Sequence, residues 1–392
     1  MAATLSHTSF GGAMLMRGWM VSDFTGSPFL VSLVLGLFML PMLVFTTAGG
    51  MLADRYSLTR LTAAGDVFSF IWYVVLAALV LSDTADAWHV LALSFAHGSS
   101  AALTSPARQT MVTDLVPPAE GRTAIGLSTL SFNVSQIVGP LVVGILISQV
   151  SLDSAVLFPV LLVVPSSLLY LRLKLRRRRT VSGEAASSLL ARLFGGIVYV
   201  VKEPSLRWSM LGATVLVLTA NTWGALFPSL VDSLGEGASG LAVLSMAVGA
   251  GSVTGTLASV MLSSRYDDRT IETASGLLFV ILVFALGISG IFTLSVVFAL
   301  LAALAATVFF VTTMMGMQLS APPEVRGRVI AALFVMFGMG PLGMFALGAL
   351  AQVVGPGAAL ASFAVIGGIG YLAVQAIRWN LEPDVPSASS LS

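Results

Sequence analysis

An arginine stands inside an otherwise apolar run, Met14-Leu15-Met16-Arg17-Gly18-Trp19-Met20. A guanidinium there binds an anion, pairs with an acid such as Asp23, or snorkels to a nearby surface. His97 lies near the middle of another apolar stretch. Its imidazole suits proton exchange, because the unperturbed pKa of histidine is about 6.5, or it is a hydrogen-bonded packing residue. Asn133 and Gln136 share a third run, and Asn221 and Trp223 a fourth. They suit a cavity that holds a ligand, the alternative being core packing. Nothing here resembles catalytic machinery. There is no His-Glu-x-x-His, no Gly-x-Ser-x-Gly and no P-loop. The absence of cysteine removes thiolate metal sites and disulfides. The chain is read as a binding machine without metal or cofactor, not an enzyme.

The elements that carry these residues must live in lipid. Hydrophobic residues make up 57% of the chain, charged residues only 9%, and the mean hydropathy is +0.96. A soluble domain carries about 25% charge. In a bilayer every backbone N–H and C=O must be bonded internally, which leaves helices or closed barrels. Barrel strands alternate in polarity over about ten residues, whereas these apolar runs are continuous and about twice as long. They fall at 4–22, 29–52, 61–82, 87–107, 123–149, 154–173, 206–231, 239–263, 271–289, 292–317, 329–353 and 357–378. The expectation is an all-α polytopic membrane protein with twelve spans and no cleavable signal peptide.

Charge sets the topology. Of 19 Lys and Arg residues, all but Arg17 fall on one side of this arrangement. The loops of the other side carry Asp83, Asp86, Asp153, Asp232 and Glu236 instead. By the positive-inside rule, both termini are expected in the cytoplasm. The one long polar insert, 175–205, opens with Arg176-Arg177-Arg178-Arg179 and is read as the linker between two halves, 1–174 and 206–379, with a cytoplasmic tail at 380–392. The arginine run is a topology anchor on anionic headgroups, with no nucleic-acid role. The halves echo each other. Pro117-Pro118-Ala119-Glu120-Gly121-Arg122 follows the fourth run, and Pro322-Pro323-Glu324-Val325-Arg326-Gly327-Arg328 the tenth. Each leads to a Gly-Pro pair, Gly139-Pro140 or Gly340-Pro341. Six spans per half, equally oriented, make a parallel repeat about an axis along the membrane normal.

After the second run stands Gly49-Gly50-Met51-Leu52-Ala53-Asp54-Arg55-Tyr56-Ser57-Leu58-Thr59-Arg60. It resembles the signature loop of the major facilitator superfamily. Gly50, Leu52, Ala53, Asp54, Arg55 and Arg60 carry the match, and Ser57 replaces the second glycine. Ser135-Gln136-Ile137-Val138-Gly139-Pro140-Leu141-Val142-Val143-Gly144 resembles the Gly-Pro motif of the antiporter branch, with Val143-Gly144 for the usual Gly-Gly. Arg17-Gly18-Trp19 and Thr25-Gly26-Ser27-Pro28 are similar to the first-helix end of the enterobactin-exporter-like subgroup, the transmembrane secretion effectors.

The resemblance implies the major facilitator fold, two six-helix bundles related by a pseudo-two-fold axis. It implies that Gly50, Asp54, Arg55, Arg60, Asp114 and Arg122 form a cytoplasmic gate, and that Gly139, Pro140 and Gly144 shape the bundle interface. Arg17, Asp23, His97, Asn133, Gln136, Asn221 and Trp223 are candidates for the substrate or proton cavity. The implied function is proton-driven export of a small amphipathic molecule, such as a siderophore or macrolide, by a monomer in a bacterial cytoplasmic membrane. The alternative is an importer or facilitator on the same fold. The familiar arginine of the fourth antiporter helix is replaced here by Ser94, which leaves the usual proton scheme without its residue.

The lack of native cysteine makes the topology directly testable. Ser82→Cys is expected to react with an impermeant maleimide in intact cells, and Ser264→Cys only after permeabilisation. The reverse pattern would invert the chain.

Overall fold

The computed structural model describes residues 1–117, 120–173, 198–321 and 326–381. The side chains of Asp54, Arg122, Gln318, Arg326 and Arg328 lie outside that description, as do most of the 175–205 linker and nearly all of the tail.

Every regular element among the described residues is helical. The first six spans are Ala2–Thr25, Pro28–Arg55, Leu58–Leu81, Ala87–Asp114, Gly121–Gln149 and Leu152–Arg172. The seventh is Pro204–Leu218, continued by a 3-10 turn at Ala220–Leu226 and a short helix at Phe227–Ser233. The eighth to tenth are Gly237–Ser263, Asp268–Ile288 and Phe292–Ser320. The eleventh runs as Arg326–Gly338 and Gly340–Val354, and the twelfth is Pro356–Leu381. Among the described residues, 10 helices are long and apolar enough to cross a membrane. The first and fourth spans, absent from those 10, complete the twelve. They are also the two that carry Arg17 and His97.

Local sequence explains where the helices stop and start. Gly26 takes the left-handed conformation, φ 57°, that closes the first helix. Ser27 then accepts the Leu30 N–H, and Pro28 fills a first-turn position that has no use for a donor. The Thr25-Gly26-Ser27-Pro28 element is therefore a stop and a start written back to back. Asp86 and His89 form a reciprocal capping box at the fourth helix. Asp267 caps the ninth, accepting from the Thr270 N–H at 2.9 Å.

Two spans read as continuous from the sequence are broken. The eleventh divides at Met339, just before Pro341, whose ring lacks a donor and crowds the preceding turn. The seventh unwinds into the 3-10 turn that holds Asn221 and resumes beside Pro228.

Each half packs on itself first. The second span lies on the fourth, the first on the fifth and sixth, and the third on the fourth and sixth. In the other half the eighth lies on the tenth, and the ninth on the tenth and twelfth. The halves meet along two seams, the fifth span on the eighth and the second on the eleventh. A two-fold along the membrane normal exchanges these seams, so they are one kind of contact made twice. The periphery is apolar throughout. Leu161, Leu257, Ile281 and Ile369 are each more than half exposed. Such a surface is tenable in contact with lipid tails.

The seams are tight at one end of the molecule. Gly144 of the fifth span rests on Ala242 and Ala238 of the eighth. Gly348 of the eleventh rests on Ser32 and Phe29 of the second, and the Ser27 hydroxyl donates to Gln352 Oε1 at 2.7 Å. This end carries Asp83, Asp86, Asp232 and Glu236 and is called the acidic face. At the opposite, basic face, with exposed Arg55, Arg60 and Arg265, Gly50 has nothing among the described residues within 4 Å of where a Cβ would stand. Among the described residues the structure is closed at the acidic face.

Ser27→Cys with Gln352→Cys is expected to be joined by a short bismaleimide in the resting protein. A protease site engineered between the halves would report it, because the cut halves would stay together on a gel. Halves that separate after treatment would contradict the closed acidic face.

Candidate functional site

Arg17 lies two-thirds along the first helix and is 0% exposed. Its Nη1 lies 3.0 Å from His97 Nδ1, across to the fourth span. Arginine has no acceptor, so the guanidinium donates and His97 Nδ1 accepts, which places the imidazole proton on Nε2. The Tyr73 ring of the third span supplies a cation–π face 5.6 Å from the Arg17 carbon. Among the described residues, Arg17 Nε and Nη2 have no hydrogen-bond partner. His97 is itself packed edge-on by Phe10, Phe38 and Tyr73, with centroids 6.1, 5.3 and 5.2 Å away. Gly98 makes this possible, because its missing side chain lets the fourth span touch the Phe38 backbone.

A second polar cluster lies nearer the basic face. Asp66 pairs with Arg108 at 2.9 Å and accepts from the Ser6 hydroxyl at 3.0 Å and the Ser166 hydroxyl at 2.5 Å. Arg108 also donates to Ser6 at 2.6 Å and lies over the Tyr170 ring. The second half repeats the scheme. Glu272 pairs with Arg378 at 3.3 Å and accepts from the Ser209 hydroxyl at 2.9 Å, while the Tyr371 hydroxyl donates to the Glu272 carbonyl. In both halves a carboxylate near the start of the third helix receives a serine from the first. The internal repeat is written in buried polar chemistry as well as in loops.

Three adjoining cavities run beside the groups of the first half, and neither Glu272 nor Arg378 lines any of them. The central one, about 350 Å³, lies between the bundles and is lined by Phe10, Met14, Gly18, Asn133, Gln136 and Pro140 on one side, and by Gly224, Phe227, Pro228, Ser245 and Ser252 on the other. The next, about 460 Å³, shares Phe10, Leu35 and Phe132 with it and adds Tyr73, His97 and Arg108. The last, about 660 Å³, shares His7, Arg108 and Phe132 with the second and reaches Met1, Arg172 and Leu173 at the basic face. Volumes of this order hold small organic molecules.

The structure brings together some of the expected residues and separates others. Asn133 and Gln136 line the central cavity, and Gln136 Oε1 is buried without a partner among the described residues. Pro140 lines it too, whereas Gly139 faces the first span, where an added methyl would lie 2.7 Å from the Gly12 nitrogen. The sequence reading put Gly139 at the interface between halves. The neighbour it admits belongs to its own bundle, and Gly144 is the residue that meets the other half. Asp23 is exposed at the acidic face, away from Arg17. Trp223 turns into the second bundle's core against Phe227 and Phe279, and Asn221 lines none of these cavities. Asp114 is half-buried at the basic-face end of the fourth span, and Arg55 and Arg60 are exposed. The Asp54 and Arg122 side chains lie outside the described residues. Asp66 meets Arg108 of the fourth span. Glu272 and Arg378, 106 residues apart, had no mutual signal in the sequence.

A cavity between two six-helix bundles, related by a two-fold along the membrane normal, defines a membrane transporter of the major facilitator type. The sequence profile described as transmembrane secretion effector matches residues 3–390, and the chain belongs to that family. No curated protein sequence matches it. Solved structures share its fold. A point mutant of the nucleoside transporter NupG aligns with TM-score 0.77 at 15% identity, covering 96% of this chain and 98% of that one. A D-xylose–proton symporter aligns with TM-score 0.75 at 16% identity, covering 98% and 97%. A bacterial homologue of the human lysosomal transporter Spinster, in an inward-facing and unoccupied conformation, gives 0.66 at 16%, covering 96% and 91%.

Asp66→Asn leaves Arg108, whose side chain is 21% exposed, charged and without its carboxylate beside a buried position. Breaking such a pair costs about 3–5 kcal/mol. A large fall in the melting temperature of the purified protein is expected, with recovery in Asp66→Asn/Arg108→Gln. A double variant no more stable than the single one would show the pair is not the reason.

Proposed function

We propose that the chain exports a small amphipathic molecule by alternating access, driven by protons moving inward. The basic face is then the cytoplasmic one, both termini lie there, and the bundles 1–174 and 206–379 rock about the central cavity as a monomer in a bacterial cytoplasmic membrane. The observation that carries this reading is the run of cavities from mid-membrane to the basic face, closed at the acidic face by the two seams. A molecule collected from the cytoplasm needs that state. The lining is largely apolar with a few amides and hydroxyls, which suits an amphipathic body. The family's description as secretion effectors supports the outward direction.

In this reading His97 is the proton acceptor. Its Nδ1 accepts from Arg17 only while the imidazole is neutral. A proton there sets two cations face to face and separates the first span from the fourth. Tyr73 is the remaining titratable group against this pair, and Arg108, held by Asp66, lies in the same cavity wall. Asp54, Arg55 and Arg60 close the cytoplasmic side when the chain turns outward, and Asp114 and Arg122 complete that gate.

Accumulation of a panel of fluorescent amphipathic compounds in efflux-deficient cells tests the proposal. Cells with the intact protein are expected to hold less dye than the empty vector, a protonophore to erase the difference, and Asp54→Asn to weaken it. In everted vesicles, one pH unit is worth about 1.4 kcal/mol, so a one-for-one exchange sustains about a tenfold ratio. His97→Gln is expected to lose that ratio while keeping gradient-free exchange. Net movement in the opposite direction would make the protein an importer on the same fold.

A further inference from the structure

We propose that the transported molecule is an amphipathic anion and that Arg17 receives its charged group. The inference rests on the central cavity being the transport site and adds what that site selects.

The first argument is the charge of the walls. Among the described residues, no Asp or Glu lines any of the three cavities. The ionisable residues that do include His7, His97, Arg108 and Arg172. His97 is neutral in its pair and Arg108 is held by Asp66, yet a cation moving from the basic face would find no carboxylate in these linings to replace its water, while these residues offer N–H donors. An anion can accept from them.

The second argument is Arg17 itself. Two other arginines held deep in the bundles each own a carboxylate, Arg108 with Asp66 and Arg378 with Glu272. Arg17 is more deeply buried than either, yet its one hydrogen-bond partner among the described residues is a neutral imidazole. Nε and Nη2 are left without acceptors. A charge buried in lipid without a counter-ion is expensive, and such residues are kept where a function uses them. The unpartnered N–H groups of a guanidinium form a planar fork that fits a carboxylate, sulfonate or phosphate.

The third argument is access. Met14, Leu15 and Gly18, on the turns flanking Arg17, line the central cavity, and Tyr73 and His97, which touch Arg17, line the adjoining one. Phe10 belongs to both linings and packs against His97. Arg17 itself is 0% exposed and lines neither cavity, so it meets the ligand in a conformation more open than this one. The apolar body of the ligand would then rest between Phe227 and Val248 of the second bundle.

A matched pair of probes tests this at equilibrium, with no gradient and no assumption about direction. Naphthylacetate and naphthylmethylammonium share an apolar body and differ in charge. With the full chain in phosphatidylcholine nanodiscs, and empty discs as background, the anion is expected to bind at least tenfold more tightly. Arg17→Lys should keep much of the preference and Arg17→Gln should lose it. Arg17→Gln should also melt no lower than the parent, because it removes an unpaired charge, whereas a structural Arg17 would cost stability. Equal affinity, preference for the ammonium or binding of neither probe by the parent overturns the proposal. A preference untouched by Arg17→Gln overturns the assignment to Arg17. Selective binding without dye efflux would leave this inference standing and defeat the exporter reading alone.

Discussion

Helices in lipid cannot be held together by hiding apolar surface from water, because the lipid is as apolar as they are. What holds this chain is close approach of backbone to backbone, and glycine is the residue that allows it. Gly98 lies on the Phe38 backbone, Gly139 on Thr8 and Gly12, Gly343 on Leu218, and Gly251 and Gly255 on Leu300 and Leu304. At each of these places a methyl group would collide with main chain, which has no rotamer to yield. The positions of the polar groups follow from this. Arg17 reaches His97 because the first, third and fourth spans lie close enough for one guanidinium to touch both an imidazole and a tyrosine ring.

The same closeness explains how charge is tolerated at depth. Asp66 and Glu272 are each surrounded by a serine hydroxyl and an arginine drawn from different helices. A carboxylate held in this way fixes the register of its helix against its neighbours. Arg17 breaks the pattern, with one neutral partner and a ring face. The contrast lies in the counter-ion: Arg108 and Arg378 each face a carboxylate and Arg17 faces none among the described residues, although Glu272 Oε1 and Arg378 Nε are also without partners there.

Much of the architecture was legible in the sequence. The apolar runs gave the spans, the arginines separated the two faces, and the signature loop and paired Pro-Pro segments pointed to two halves. Arg17 and His97 were each conspicuous as polar residues in apolar runs. Their meeting was not, because they are 80 positions apart and no periodicity links side chains on different helices. Orientation was the harder problem. A span apolar all round has no moment to say which face looks inward. Asn221 and Trp223 were therefore expected in the cavity, whereas Trp223 is committed to the core of the second bundle. The breaks at Met339 and in the seventh span were signalled only by Pro341 and Pro228, residues that membrane helices elsewhere in this chain, at Pro41 and Pro106, absorb without interruption.

The closed seams on the acidic face have a consequence for how the surroundings act on the molecule. They are made of Gly144 on Ala242, Gly348 on Ser32 and Phe29, and one neutral hydrogen bond, Ser27 to Gln352. No ion pair holds them among the described residues. Exposed charge lies at both faces, Asp83, Asp86, Asp232 and Glu236 on this one and Arg55, Arg60 and Arg265 on the other, but none of these residues makes the seams. Ionic strength therefore has little grip on the seams themselves, whatever it does to the charges around them. The closed end is held by shape and one neutral hydrogen bond, so the salt around it can vary widely and leave it undisturbed.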